Sequence, residues 1–419
     1  MLNQAYEAQC KSVHVHCTDA QQLRHRNLSL LTLALGTFCI GTSEFASMGI
    51  LQLFAASLGV DISTATHAIE AYAFGVVIGG PLVTILAASL NRRTLLLWLM
   101  VIFIIGNVLS ALATGLGMFA LARFVSGIPQ GAYFGAGAVV ASYIVGPGQG
   151  GRAFALVMTG LTVATVFGSP LATFMGQTIG WRNAYFAVSA LGVLSLLALW
   201  MWVPRSRALD GGPVVQELRA LRGPAVWAMM AVAALGVASI FAVYTFIGPL
   251  VTDGAALGQG WIPIALGLFG IGMTVGNLLG GKLADAHPSR GLMAGFGSAL
   301  VVLAVLAMGG GNVWVLMLGL FGVGATMMVA IPTVQVRLTQ AAPGAPTLMG
   351  AMNLAALNVA NAIGAWAGGR AIANGYGLLS AVWAGFGLTL LGLLLFMVVS
   401  RGKSDARKTP AGDTADALA

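Results

Sequence analysis

Long apolar runs separated by short polar turns set the pattern of this chain. Twelve runs are long enough to cross a hydrocarbon core of about 30 Å. Their cores fall at 28–56, 65–88, 94–113, 116–145, 152–177, 183–203, 224–251, 261–284, 290–309, 312–338, 346–373 and 377–400. Inside a bilayer every backbone N–H and C=O must be paired within the segment, so runs of this kind predict helices. The longest internal polar stretch, PRSRALDGGPVVQELRALRG at 204–223, divides six runs from six. The pattern predicts an all-α membrane protein with twelve transmembrane helices in two pseudo-symmetric six-helix bundles. Residues 28–203 and 224–400 form the bundles, 204–223 the linker, and 1–27 and 401–419 the two tails. The halves repeat weakly. TILAASLNRR follows the second run and GKLADAHPSR the eighth, both short turns ending in arginine. Repeated halves predict a substrate site near the bilayer midplane, reached by rocking one half against the other.

Composition agrees with that class. The chain is 58% hydrophobic and 8% charged, with 58 glycines in 419 residues, whereas soluble domains carry roughly 25% charged residues. Charge then orients the helices. With the N-terminus inside, 17 of the 20 Lys and Arg fall on one side, and only Arg123, Arg182 and Arg370 lie within or at the outer ends of spans. That asymmetry predicts cytoplasmic termini. The net charge of +8 therefore reflects membrane topology, and no basic stripe points to nucleic acid. The first 27 residues lack the apolar stretch of a signal peptide. Cys10, His14, His16 and Cys17 sit there and are read as part of a polar leader rather than a metal site. No metal or cofactor is expected, and no phosphate-binding G-x-x-x-x-G-K-[ST] loop is present.

One acidic residue, Glu44, stands deep inside an apolar run, LSLLTLALGTFCIGTSEFASMGILQLFAASL. A charge there costs roughly 2.5–3.5 kcal/mol on insertion scales, so it needs the bundle interior or a wet cavity. Two readings follow: a site for protons or substrate, or a protonated carboxyl bonded to a neighbouring helix. Arg123 is the matching cation. It lies about seven residues, or roughly 10 Å, from the outer end of the fourth run, and Glu44 about twelve residues, near 18 Å, from the outer end of the first. The two are close enough in depth to interact, directly or through water, if their helices face each other. Alternatively, Arg123 binds helix carbonyls.

The motifs resemble those of the major facilitator superfamily, within it the bacterial twelve-span drug:proton antiporters. The chain looks most like the sugar-efflux, purine-efflux and chloramphenicol-exporter permeases, over about residues 28–400. The turn GKLADAHPSR is similar to that family's cytoplasmic loop motif, with Gly281, Asp285 and Arg290 at matching positions; the first-half copy keeps Arg92 and Arg93 but has Ala88 where the motif has Asp. RFVSGIPQGAYFGAG in the fourth run matches the motif built around Arg123. GSPLATFMGQTIGWRNAYF in the fifth matches the antiporter motif through Gly168 and Pro170.

The resemblance implies the major facilitator fold and export of a small organic molecule, a sugar, nucleoside or drug, driven by protons across the bacterial inner membrane. An uptake symporter of the same fold is the alternative. The chain is expected to be a monomer and not an enzyme, because a membrane-embedded active site would need clustered His, Asp or Glu. Glu44 is the expected protonation switch, with Arg123 its electrostatic partner or relay. Gly160, Gly168 and Pro170 are expected to let the fifth helix bend and pack closely, sealing the bundle against leak. Arg92, Arg93, Gly281, Asp285 and Arg290 are candidate latch residues between helix ends. Polar or aromatic residues in mid-span are candidates for the cavity: Tyr72, Gln130, Tyr133, Tyr244, Asn353, Asn358 and Asn361. The three asparagines contact either the ligand or neighbouring helices.

Overall fold

A computed structural model describes residues 19–60, 62–65, 67–258 and 261–406. The histidine and cysteine group at 10–17 and the end of the C-terminal tail, 407–419, lie outside the described residues. Among those described, every regular element is helical, and twelve helices are long and apolar enough to cross a membrane. The first six are α1 His25–Gly49, α2 His67–Leu86, α3 Arg92–Leu112, α4 Leu116–Val145, α5 Gly150–Ile179 and α6 Trp181–Trp202. The second six are α7 Pro224–Tyr244, α8 Ile264–Ala286, α9 Pro288–Gly309, α10 Val313–Ala341, α11 Pro346–Tyr376 and α12 Ser380–Ser400. A helix already begins at Asp19 and runs into α1, inside the segment expected to be a polar tail; Ala, Gln, Leu and Arg there all favour helix.

Local chemistry sets the boundaries. The Asn91 side chain accepts from the Arg93 N–H at the start of α3, and Asn312 accepts from Trp314 and Val315 at the start of α10. Each satisfies donors that the first helical turn leaves free. Pro224, Pro288 and Pro346 open α7, α9 and α11, where a missing N–H costs nothing. Two long apolar runs are broken in the structure. The run 28–56 stops at Gly49 and resumes as a short helix, Leu51–Leu58. The run 224–251 ends its regular helix at Tyr244 and continues through Ile247–Pro249 into a π-turn, Leu250–Gly254. Pro249 cannot donate a hydrogen bond and crowds the carbonyl four residues back, which accounts for the second break.

Proline also shapes α2 and α5. A π-turn at Gly75–Gly79 precedes Pro81, and another at Ala164–Gly168 precedes Pro170. The wider turn takes up the ring without ending the helix. The local sequences, IGGPL in α2 and FGSPL in α5, place the same device in two helices of one half.

The halves meet most tightly at the end of the bundle that carries the linker. There α4 crosses α11 so closely that a Cβ on Gly135 would lie 2.0 Å from the Thr347 carbonyl oxygen. Beside it α5 meets α8: the Asp285 carboxylate accepts from the Gly151 and Arg152 backbone N–H groups at 2.6 and 2.9 Å. One turn deeper, Asn277 Nδ2 donates to the Ala155 carbonyl at 2.7 Å. The far part of α5, Ser169–Ile179, packs instead on α1 and α6 of its own half.

Candidate functional site

Glu44 and Ser43 are adjacent on α1, about 100° apart around the helix, and that angle divides their surroundings. Ser43 turns into the first half. Its Oγ donates to Asn107 Oδ1 of α3 at 2.6 Å and accepts from Arg123 Nη1 of α4 at 2.9 Å, while Arg123 Nη2 donates to the Ser43 carbonyl at 3.0 Å. The fully buried guanidinium lies 4.4 Å from the Tyr72 ring centroid and 5.4 Å from that of Tyr185. Aromatic faces in a water-poor interior attract a cation. Tyr185 in turn shares a 2.8 Å hydrogen bond with Ser47. Arg123 thus spends both Nη groups on the residue before Glu44, not on the carboxylate.

Glu44 turns the other way, toward the seam between the halves. It is half-buried, and its Oε2 accepts from Gln130 Nε2 at 2.9 Å. The Gln130 Oε1 is buried and has no partner. An amide can reverse to offer either its N–H or its carbonyl. Gln130 can therefore donate to an ionised Glu44 or accept from a protonated one.

The carboxylate and this amide form the polar corner of a narrow cavity of ≈ 40 Å³, room for about three water molecules. Its wall is shared by α1, α4 and α5 of the first half with α7, α8, α10 and α11 of the second. Phe45, Met158, Phe241, Phe269, Met273, Met328 and Ile331 make it largely apolar. The ring of Phe45 meets Tyr244 edge-on at 6.1 Å, and Tyr244 meets Phe269 at 5.3 Å, tying α1 to α7 and α8. Among the described residues, Glu44 is the one charged side chain in the wall.

Of the seven side chains expected in the cavity, Gln130, Tyr244 and Asn358 line it. Asn358 also donates to its own Leu354 carbonyl at 3.0 Å. Tyr72 lies under Arg123, and Tyr133 reaches the Leu33 carbonyl at 3.4 Å inside the first half. Asn353 donates to Gln335 of α10 at 3.1 Å, an interhelical contact within its own half. Asn361 is half-buried at the middle of α11, outside the cavity wall. The apolar wall escaped the sequence reading because a mid-span Met or Phe looks the same whether it packs or lines a cavity. Asn277 was also missed, although an amide inside an apolar run carried the signal.

The glycines of α5 act as notches for α1. A Cβ on Gly160 would lie 1.9 Å from the Ala34 carbonyl oxygen, and one on Gly168 would lie 2.1 Å from Thr42 Oγ1. Pro170 directly follows the π-turn Ala164–Gly168, in the first turn of the helix Ser169–Ile179. Among the latch candidates, Gly281 and Asp285 touch the other half, with a Gly281 Cβ falling 2.6 Å from that of Ala155. Arg92 and Arg93 bind within their own half and the linker: Arg92 pairs with Glu217 at 3.6 Å, and Arg93 donates to the Val203 and Trp200 carbonyls. Arg290 is exposed.

A family model described as Major Facilitator Superfamily matches residues 33–365. The Inner membrane transport protein YdhP of Escherichia coli (strain K12) is 37% identical over 390 residues, covering 92% of this chain and 97% of that protein. The Putative transporter AraJ of the same strain is 33% identical over 350 residues, 83% of this chain and 88% of that one. A Chloramphenicol resistance protein of Streptomyces lividans is 34% identical over 372 residues, 88% and 95% of the two chains. Among solved structures, the proton:xylose symporter XylE aligns with a TM-score of 0.71 at 16% identity, over 90% of this chain and 96% of that one. FucP in its outward conformation aligns at 0.70 and 16%, over 90% and 99%.

Proposed function

The chain belongs to the Major Facilitator Superfamily, and from that premise we propose that it exports a small organic molecule across the inner membrane in exchange for protons. Membership makes it a multi-pass membrane transporter; direction and coupling are our reading. The observation that carries coupling is Glu44, a lone carboxylate in the wall between the halves, held by an amide that suits either protonation state. In this account Glu44 takes up a proton when the cavity opens outward and gives it up when the cavity opens inward. Substrate and proton occupy the same corner in turn, so each favours release of the other. Arg123 holds α1 in place through Ser43.

The termini and linker are assigned to the cytoplasm because Lys and Arg concentrate on that side. The arrangement described above is then one closed toward the cytoplasm. Asp285 on the α5 N-terminus is the latch of that state, since a carboxylate accepting backbone N–H groups there is favoured by hydrogen bonding and by the helix dipole. Gly160, Gly168 and Pro170 hold α5 against α1 and so keep the first half leak-tight. The unit is a monomer with bundles at 28–203 and 224–400. Gln130, Tyr244 and Asn358 are the polar groups offered to substrate.

Export is supported by the chloramphenicol resistance protein among the relatives, which makes chloramphenicol the first compound to test. Everted membrane vesicles with an acid lumen are expected to accumulate it, and collapse of the pH gradient to stop accumulation. Gradient-driven accumulation only in right-side-out vesicles with an acid exterior would point to uptake instead. A panel of sugars, nucleosides and antibiotics extends the same assay.

A further inference from the structure

A second concavity, polar and far from the transport seam, opens at the linker end where α3 begins and α6 ends. It has a volume of ≈ 320 Å³, and Arg93, Arg205 and Arg207 line it with Asn91, Thr94, Ser206 and Asp210. Three guanidiniums face one carboxylate. That carboxylate is already engaged, because Asp210 Oδ1 accepts from Asn91 Nδ2 at 2.6 Å. Arg93 is fixed by its bonds to the Val203 and Trp200 carbonyls at 3.0 and 2.6 Å. Arg205 and Arg207 are exposed and form no ion pair among the described residues. Like charges gathered round a hollow repel unless an anion joins them, and planar guanidiniums match the oxygens of a phosphate group.

We propose that this concavity binds an anionic phosphate group. Its surroundings favour a lipid headgroup as the source. Trp200, level with Arg93, is 56% exposed, and Trp98, about 7 Å deeper on α3 by helical rise, is 60% exposed. Tryptophan at the membrane–water boundary beside clustered arginine is the setting in which anionic headgroups are held. The acyl chains would run down the apolar outer face of α3 and α6. None of the three arginines lines the transport cavity, so the site stands apart from the proposed function.

The test uses purified full-length protein, stripped of lipid in neutral detergent and followed by thermal unfolding and native mass spectrometry. The probes are dioleoylphosphatidylglycerol, dioleoylphosphatidylcholine and inorganic phosphate. Phosphatidylglycerol is expected to bind and to raise the melting temperature, and phosphatidylcholine to do neither. The double variant R205A/R207A is expected to weaken phosphatidylglycerol binding roughly tenfold or more. A double glutamine variant, R205Q/R207Q, keeps polar bulk in the loop and repeats the test should the alanine protein fold poorly. Protection by inorganic phosphate as well would make the ligand a free phosphate; protection by the lipid alone would make it a headgroup. Absence of binding to wild type, or equal binding by wild type and variants, overturns the proposal.

Discussion

Two adjacent residues on α1 divide the work of the site. Ser43 anchors Arg123 inside the first half, and Glu44 faces the seam with Gln130. Both charged groups stood out in the sequence because a charge in an apolar run is costly. Depth along the helix was legible too, and it put them at comparable levels. The face of the helix was not legible, and the face decides that the guanidinium grips Ser43 rather than the carboxylate. Arg123→Lys keeps the charge but replaces the fixed fork of two nitrogens with a single ammonium nitrogen, which cannot span the Ser43 hydroxyl and carbonyl in the same way. With interhelical hydrogen bonds in membranes worth about 0.6 kcal/mol each, the substitution is expected to destabilise the first half by about 1–2 kcal/mol. Chemical unfolding in detergent measures this; a variant as stable as wild type would show that the contacts to Ser43 carry no weight.

At the scale of elements, apolar length located all twelve spans but hid the breaks within them. Nothing polar marks Gly49, and the π-turns before Pro81 and Pro170 depend on how the helix accommodates a ring. Close crossings were equally hidden, since a glycine in a membrane helix looks alike in any role. Gly135 shows its role in the structure. Its Cβ position is filled by the Thr347 carbonyl, so Gly135→Ala must push α4 and α11 apart. Overpacking of this kind costs about 1–3 kcal/mol, which is expected to shift the population away from the state closed at the linker end. Spin labels across that end should report longer distances; an unchanged distribution would contradict the tight crossing.

The linker supplies another element. Its helix Val214–Ala220 buries Glu217 against Arg92. Burial pushes the Glu217 carboxyl up from 4.5 to about 6, while Arg92 pulls it down. The docked linker therefore binds a proton more readily than the free one. Its stability is full below about pH 4.5 and declines as pH rises through about 6. Glu217→Gln should remove that decline, so the melting temperatures of the two proteins should diverge between pH 4.5 and 6.5, with the variant higher at the alkaline end. Parallel curves would exclude Glu217 as the titrating group.

For the whole molecule, the two halves and their order were legible from the run count and the central polar stretch. How they close was not. The turn after α8 grips the start of α5 through Asp285. The corresponding turn after α2 has Ala88, and the linker lies over it so closely that a Cβ on Gly211 would sit 1.9 Å from the Ala88 carbonyl oxygen. The two turns are thus held unequally: a carboxylate of one half grips backbone N–H groups of the other at the first, and the linker covers the second. Opening the far end would widen the narrow seam cavity to admit substrate, and release of the Asp285 contacts would then open the linker end, so that Glu44 would meet water from each side in turn. The most direct measurement of that claim compares wild-type and Glu44→Gln protein in proteoliposomes, using a transported compound under a pH gradient and in gradient-free exchange. The account expects exchange to persist in the variant while gradient-driven accumulation falls to background. Accumulation by the variant at the wild-type level would contradict it.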